Sequence, residues 1–554
     1  MLKTTNPAIL LLRKRPEENI FYGRKIFRKT ARLFHSSTRK IFKQASQDQR
    51  MQKYASTVAK TFFLSQKPAV VNSTFQKSIS QKTFFVKENK ETSWIKFLEI
   101  GLPKKNIELI NWKPNNCQQK KHKNPKINLL CLRNWEYFFV KWFSVLLPQW
   151  IWKGQFLVMR ESDLVKETAV KLFKNRYKIV EIKVPTINFD KKRRAFISDK
   201  IIDWAKKTYF LTTKNKKTSK ALTKYFQHQA KIEVAKQDAF ESKWHDVISS
   251  YKNLPVLGIL ANYPHGTEMY ALREICKTKG IPIYGFQHGV GREICTDHHS
   301  LSFFYENNAA DIVFLYNKKS KLVSEKFRLI SSKCFVSGAP KIRKALNPFS
   351  KKYPFMYVST MLYHEGSNIT LGNADDLDKA KFEIQLIREV FGYSPHSFFY
   401  KPYPAERYGG FDPVLQEAAK YSNIYVYQGS KVFQDLYSKS EILITSRATS
   451  TLGDCFSTNM PIIYLDINNQ QGLSKESKER IKTACLYIDC SKKNWIFDLK
   501  SLLHKPLKKI LQKVKKNKEQ RKKFENLYIT EKSSQSAGHI AANIIKDITF
   551  PVRR

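Results

Sequence analysis

ILITSRATSTLGDCFSTNMPIIYLD, residues 442 to 466, sets out one complete unit of a parallel α/β sheet. An aliphatic run ends at Thr445 and Ser446 and reads as a buried strand. The hydroxyl-rich turn Thr449, Ser450 and Thr451 then opens a helix, and a short loop returns through Pro461 into a second apolar strand. Strands joined by a helical crossover lie parallel, and a parallel sheet takes ligands beyond the carboxyl ends of its strands. The turn occupies such an end. Free amides and the helix dipole there favour an anion, and capping accounts for one hydroxyl but not for three.

The same alternation extends in both directions from this segment. Downstream of a fresh start at Tyr353, PFMYVST, a helix at 376 to 391, SFFYKPYP, NIYVYQ and a helix FQDLYSKS lead into ILITS. Upstream, FLVMRES, a helix carrying ETAVKLF and KIVEIKVP form a strand, helix, strand unit. PVLGILANY, a helix TEMYALREICKTKG and IPIYGFQHG form another, followed by DIVFLYN and KCFVSGAP. Residues 186 to 250 between these units are charged, with apolar positions at helical spacing, and are expected to cover a sheet face or carry acceptor-side elements. The chain therefore reads as two doubly wound, Rossmann-like halves.

Strand-end loops carry the other candidate residues. GFQHGVGRE places Gln287, His288 and Gly289 directly after a strand, where glycine admits close backbone approach and an imidazole can take a proton near neutral pH. ANYPHGTEMY supplies His265 and Glu268 at a helix start, where Thr267 or the amides could equally serve as caps. STMLYHEGSN, after the first strand of the second half, carries His364 and Glu365. Lys401, closing SFFYK, can add a cation to a phosphate held at 449 to 451. Asp376 and Asp378 have DxD spacing but stand at a helix start, where acids are expected without a metal, so no metal site is assigned.

With 554 residues, 42% of them hydrophobic, the chain can fill two or three cores. Its eight cysteines lack any CxxC pair, which argues against zinc or a disulfide framework and for a reducing compartment. A formal charge of +52 would draw the protein to anionic surfaces. The excess is spread along the chain without a zinc-finger, RNP or basic-zipper pattern, which argues against nucleic acid as the partner. Residues 135 to 154, WEYFFVKWFSVLLPQWIWKG, mix tryptophan and lysine as a membrane interface does, although Lys141 and Pro148 interrupt any span. A buried helix leading into the first strand is the competing reading. Residues 1 to 90 hold only four acids, and 24 to 42 can form a basic amphipathic helix, read either as a solvated arm or as a mitochondrial leader.

The order of QHG after a βαβ unit, VSGAPKI before the domain change, KPYP at a strand end and TSRATSTLGD before MPIIYLD resembles GT-B glycosyltransferases of bacterial capsule and surface-carbohydrate biosynthesis. More distantly it is similar to the glycerophosphotransferases of teichoic acid assembly. The likeness covers about residues 150 to 500. It implies an α/β, GT-B-like fold: a basic, poorly structured extension over 1 to 95, an acceptor-side Rossmann-like domain over 96 to 348, a nucleotide-donor domain over 349 to 505, and basic helices over 506 to 554. It also implies metal-independent transfer of a sugar from a CMP- or NDP-linked donor to a surface or capsular glycan, with no bound cofactor, in the cytoplasm or at the inner face of the plasma membrane.

Under that resemblance His288, Glu268 and His265 are the catalytic candidates. Lys401, Tyr403, Ser446, Thr449, Ser450 and Thr451 would hold the donor, and Gln287, Gly289, His364 and Glu365 would line the cleft. Many relatives carry histidine in a KPHP-like motif where this chain has Tyr403, a hydrogen-bond donor without positive charge, which leaves the donor type and activity open. Three rival functions fit parts of the same sequence. These are a non-catalytic GT-B-like binder of glycan or nucleotide, a nucleotide-sugar epimerase on the same scaffold, and a basic nucleic-acid-binding protein.

Overall fold

The computed structural model describes residues 33–65, 69, 83–87, 107–111, 135–190, 195–296, 308–340, 352–359, 376–403, 413–429, 433–446, 448–467, 473–515, 518–531 and 533–550. Helices α1 (33–47) and α2 (Ala55–Leu64) come first, followed by the parallel pair β1 (Thr83–Lys87) and β2 (Ile107–Asn111). The amino-terminal half then runs α3 (Trp135–Leu146), β3 (Gln155–Met159), α4 (Asp163–Lys174), β4 (Lys178–Glu181), α5 (Asp199–Thr213), α6 (Lys216–Ser249) and β5 (Val256–Asn262). It continues with α7 (Thr267–Thr278), β6 (Ile283–Phe286), β7 (Ile312–Leu315), α8 (Lys318–Phe327) and β8 (Lys333–Val336). Its sheet has the order β4-β3-β5-β6-β7-β8 and every pairing is parallel. All residues of β3, β6 and β7 are buried, as strands covered by helices on both faces must be.

The second half consists of β9 (Tyr353–Val358), α9 (Asp376–Leu386), β10 (Phe398–Lys401), α10 (Pro413–Ala418), β11 (Ile424–Val426), β12 (Ser440–Thr445), α11 (Ser450–Phe456), β13 (Ile462–Asp466), α12 (Lys475–Ala484) and β14 (Leu486–Asp489). Its sheet, β11-β10-β9-β12-β13-β14, is again wholly parallel and changes direction between β9 and β12. The fold is thus the α/β, GT-B-like one of two Rossmann-like halves. FQDLYSKS is not the helix expected: it forms two 3-10 turns, Phe433–Asp435 and Tyr437–Lys439, with Phe433 and Tyr437 buried beneath them.

One further expectation is corrected. Residues 1 to 95 are not loosely structured throughout, because α1 and α2 bury Phe34, Ile41, Val58 and Phe62 against Tyr209, Leu222 and Phe226 of α5 and α6. The scarcity of acids concealed an apolar stripe at helical spacing. The final segment, expected as basic helices, also takes part in the amino-terminal half. After α13 (Trp495–Leu503), α14 (Leu507–Lys515) and α15 (Lys518–Phe524), helix α16 (Ala537–Thr549) returns to the amino-terminal half and packs on α4, where Gly538 lies against Glu167 and Thr168. One hydrophobic cluster joins Phe156 and Val158 to Val290, Leu452, Tyr528 and Ala541, so the two halves share a core.

Candidate functional site

The amino-terminal sheet reverses its order between β3 and β5, and the residues leaving those strands lie side by side, the Asn262 N–H donating to the Arg160 carbonyl at 2.9 Å. Arg160 at φ 57°, Tyr263 at φ 32° and Gly266 at φ 107° all adopt left-handed backbone. Strain gathered at one strand end is a mark of function, because surrounding structure must hold it in place. The Arg160 guanidinium supplies that hold. It donates to the His265 carbonyl at 2.8 Å, to His265 Nδ1 at 2.8 Å and to the Glu268 carboxylate. The same Nδ1 also lies 3.0 Å from the Tyr263 carbonyl oxygen, so the imidazole is wedged between a guanidinium donor and a backbone acceptor. At φ 107° a side chain at 266 would be strained, so glycine suits this turn.

Burial, with the positive charges of Lys60 and Arg160 beside it, pushes the His265 pKa down to about 3. His265 and Glu268 are therefore engaged in an ion-paired frame. His288 is more available as a base. Asn262 Nδ2 lies 3.3 Å from its Nδ1, and Tyr263 stands between the two histidines, its ring centroid 4.5 Å from His288 and 5.2 Å from His265. Burial, then the charge of Arg292, lowers the His288 pKa, so the imidazole is in its basic form at neutral pH.

Gln287 does not face the cleft. It is fully buried, donating to the Gly289 carbonyl at 2.9 Å and to Glu293 at 3.0 Å while accepting from the Tyr316 N–H at 2.9 Å. Its role is to brace the turn that presents His288 and Gly289. Gly289 meets the other half directly: a Cβ at this position would lie 2.7 Å from the Ser450 Cβ. Close by, a Cβ on Gly453 would lie 2.6 Å from Val290, and Cys295 Sγ donates to the Ala448 carbonyl at 3.2 Å. The QHG turn is thereby seated on the start of α11.

On the carboxyl-terminal side, Thr449, Ser450 and Thr451 are half-buried, and the Thr449 side chain makes no cap bond to the helix it precedes. Ser446 does not share their exposure: it is buried and its hydroxyl is 3.0 Å from that of Tyr357. Lys401 is buried one sheet position beyond β9, donating to the Pro402 carbonyl at 2.7 Å. Tyr403 follows it. Burial raises its pKa, with Tyr263 of the other half and Asp454 of α11 adding to the shift, so the phenol stays neutral. His364 and Glu365 lie outside the described residues. Asp376 opens α9, and among the described residues no group of three or more His, Cys, Asp or Glu side chains is arranged to hold a metal.

Sequence reading missed Arg160, Asn262, Tyr263, Asp454 and Lys60. Arg160 and Tyr263 could have been found, since each follows a strand at the point where the sheet order turns. Lys60 had no such signal. It comes from α2 and lies largely buried within electrostatic reach of Glu268, Glu233 and Arg160, and burial lowers its pKa.

No family model and no curated protein matches this sequence. Among solved structures, a UDP-glucosyltransferase from Polygonum tinctorium matches at 10% identity, covering 71% of this chain and 98% of that one, with a TM-score of 0.39. A UDP-N-acetylglucosamine 2-epimerase from Rickettsia bellii matches at 14% identity over 72% of this chain and 96% of its own, also with a TM-score of 0.39. MurG from Acinetobacter baumannii matches at 10% identity over 66% of this chain and 99% of its own, with a TM-score of 0.32. Likenesses this distant carry no argument about the site, which rests on its own geometry.

Proposed function

We propose that this chain is a metal-independent glycosyltransferase that moves a sugar from a nucleotide-activated donor to a hydroxyl of a surface or capsular glycan, working in the cytoplasm or at the inner face of the plasma membrane. The observation that carries the reading is the close approach of Gly289 to Ser450, which sets a neutral imidazole from one half beside a hydroxyl-rich helix start from the other. In this reading the donor phosphate rests on Thr449, Ser450 and Thr451, with the Tyr403 hydroxyl as a further donor. His288 takes the proton of the acceptor hydroxyl. As the acceptor oxygen bonds to the anomeric carbon, the bond from that carbon to the phosphate oxygen breaks, and the electron pair leaves on the nucleotide, held by fixed donors. Arg160, His265 and Glu268 shape the acceptor wall, with Lys60 behind them. Lys401 and Ser446 support the ends of β10 and β12 from within.

The test is a thermal-shift screen against CMP, CDP, UDP, GDP and dTDP. A ligand that binds only the folded state at about a hundred times its Kd stabilises it by roughly 2.7 kcal/mol. One nucleotide class is expected to raise the Tm. The double change Ser450→Ala and Thr451→Ala should abolish that shift, and His288→Ala should keep the shift while losing transfer. Retention of the shift in the double variant, or wild-type turnover in His288→Ala, would sink the assignment. A shift accompanied by interconversion of the free nucleotide sugar, without any acceptor, would establish the epimerase instead.

A further inference from the structure

Helix α3 carries large apolar side chains on its outward face as well as its inward one. Tyr137, Val140 and Ser144 face inward against α4 and β4, where the Ser144 hydroxyl accepts from the Ile179 N–H at 3.2 Å. The outward face carries Trp135, Phe138, Phe139, Trp142, Phe143 and Leu146, an i, i+3, i+4, i+7, i+8, i+11 stripe of the kind that normally faces a core. Here it faces away from the core, with Trp142 53% and Leu146 57% exposed. Beyond it Val145 is 79% and Trp150 84% exposed, and the rings of Phe139, Trp142 and Phe143 stack into one ridge. A contiguous apolar patch of this kind on a folded chain marks a contact surface.

The neighbouring charges indicate what covers it. Lys153, Lys174 and Arg176 are exposed beside the Trp150 end, the Lys153 N–H donating to the Arg176 carbonyl at 3.0 Å. Among the described residues none of the three forms an ion pair, whereas Lys141 on the helix itself pairs with Glu161 and Glu181. Aromatic rings bordered by uncompensated cations match an interface of acyl chains and anionic headgroups. No helix among the described residues is long and apolar enough to cross a membrane.

We propose that the ridge formed by α3 and Trp150 inserts shallowly into a membrane surface rich in anionic lipid, with Lys153, Lys174 and Arg176 against the headgroups. The proposal does not depend on sugar transfer. It is tested on the full chain by co-sedimentation with phosphatidylcholine vesicles and with vesicles that also contain phosphatidylglycerol. Wild-type protein should bind the anionic vesicles, and brominated acyl chains should quench its tryptophan emission. Changing Trp142→Ser together with Trp150→Ser leaves the net charge untouched and should weaken partitioning by roughly tenfold or more, about 1.4 kcal/mol, and abolish the quenching. Changing Lys153→Glu and Arg176→Glu should remove most of the preference for anionic lipid while leaving quenching by any residual bound protein. Equal partitioning of wild type and the tryptophan variant would mean that the overall basic charge alone holds the chain to lipid, and would overturn the proposal. A concentration-dependent dimer that the tryptophan changes dissolve would also overturn it, by assigning the ridge to a second copy of the chain.

Discussion

Gly289 shows how tightly a single position can constrain the site. Its hydrogen faces the Ser450 Cβ, and a methyl group there would sit at 2.7 Å, nearer than carbon atoms tolerate. Gly289→Ala is therefore expected to cost roughly 1–3 kcal/mol through overpacking, and to reduce transfer more than nucleotide binding, because it moves His288 away from α11. Unchanged stability and kinetics in that variant would show that the two halves do not meet as described. His265 constrains the pH range instead. The unfolded chain takes up a proton near 6.5, whereas burial and its cationic neighbours hold the folded imidazole neutral down to about 3. The contribution to stability is complete above pH 6.5 and declines as pH falls through that window, by about 1.4 kcal/mol for each unit. Urea midpoints measured between pH 7 and 4 should show this slope, and His265→Gln should flatten it. The depressed pKa of His288 similarly places the acid limb of kcat/KM below the ordinary histidine value.

At the scale of elements, the layer of α1 and α2 against α5 and α6 is the part whose role was least expected. Phe62 stacks on Phe34 with ring centroids 5.0 Å apart and meets Phe226 edge-on at 5.5 Å, while Thr57 donates to the buried Gln237 at 2.5 Å. Tyr54 and Lys53 both donate to Asp238 at the rim. The layer also carries Lys60 to the Arg160 network. Truncating Phe62→Ala is expected to cost about 3–5 kcal/mol by opening a cavity among aromatic rings. Because α2 would loosen with it, acceptor KM should rise in the same variant at temperatures where it remains folded. A destabilised protein with an unaltered acceptor KM would make the layer structural alone.

Over the whole molecule, the return of α16 is what joins the ends of the chain. Asn317 Nδ2 donates to the Tyr528 carbonyl at 2.8 Å, Ala339 N–H donates to the Thr530 hydroxyl at 2.9 Å, and Tyr284 OH lies 3.2 Å from the Thr549 hydroxyl. Ending the chain at residue 532 would uncover the α4 surface while leaving the second sheet whole. Calorimetry of such a chain should resolve two transitions, the lower one belonging to the amino-terminal half. A single transition at the wild-type temperature would mean that the helix contributes nothing to that half.

What the sequence determined by itself is the sheet content and the strand ends. Parallel strands buried on both faces must read as aliphatic runs, so β3, β5, β6, β7, β9, β10, β12 and β13 were visible together with the loops that leave them, and those loops supplied His288 and Ser450 as candidates. The tertiary structure alone decided which of those loops meet. Gln287, Ser446 and Lys401 look like ligands at a strand end, yet their polar atoms are taken up by protein groups, Ser446 by the distant Tyr357, Gln287 partly by Tyr316, and Lys401 by the adjacent Pro402 carbonyl. Lys60 enters the site from a helix more than a hundred residues before Arg160's partners, and α16 crosses back over a whole domain. Local sequence encodes the period of an element and the chemistry of its ends. It does not encode long-range packing partners, because these depend on how distant apolar faces fit together.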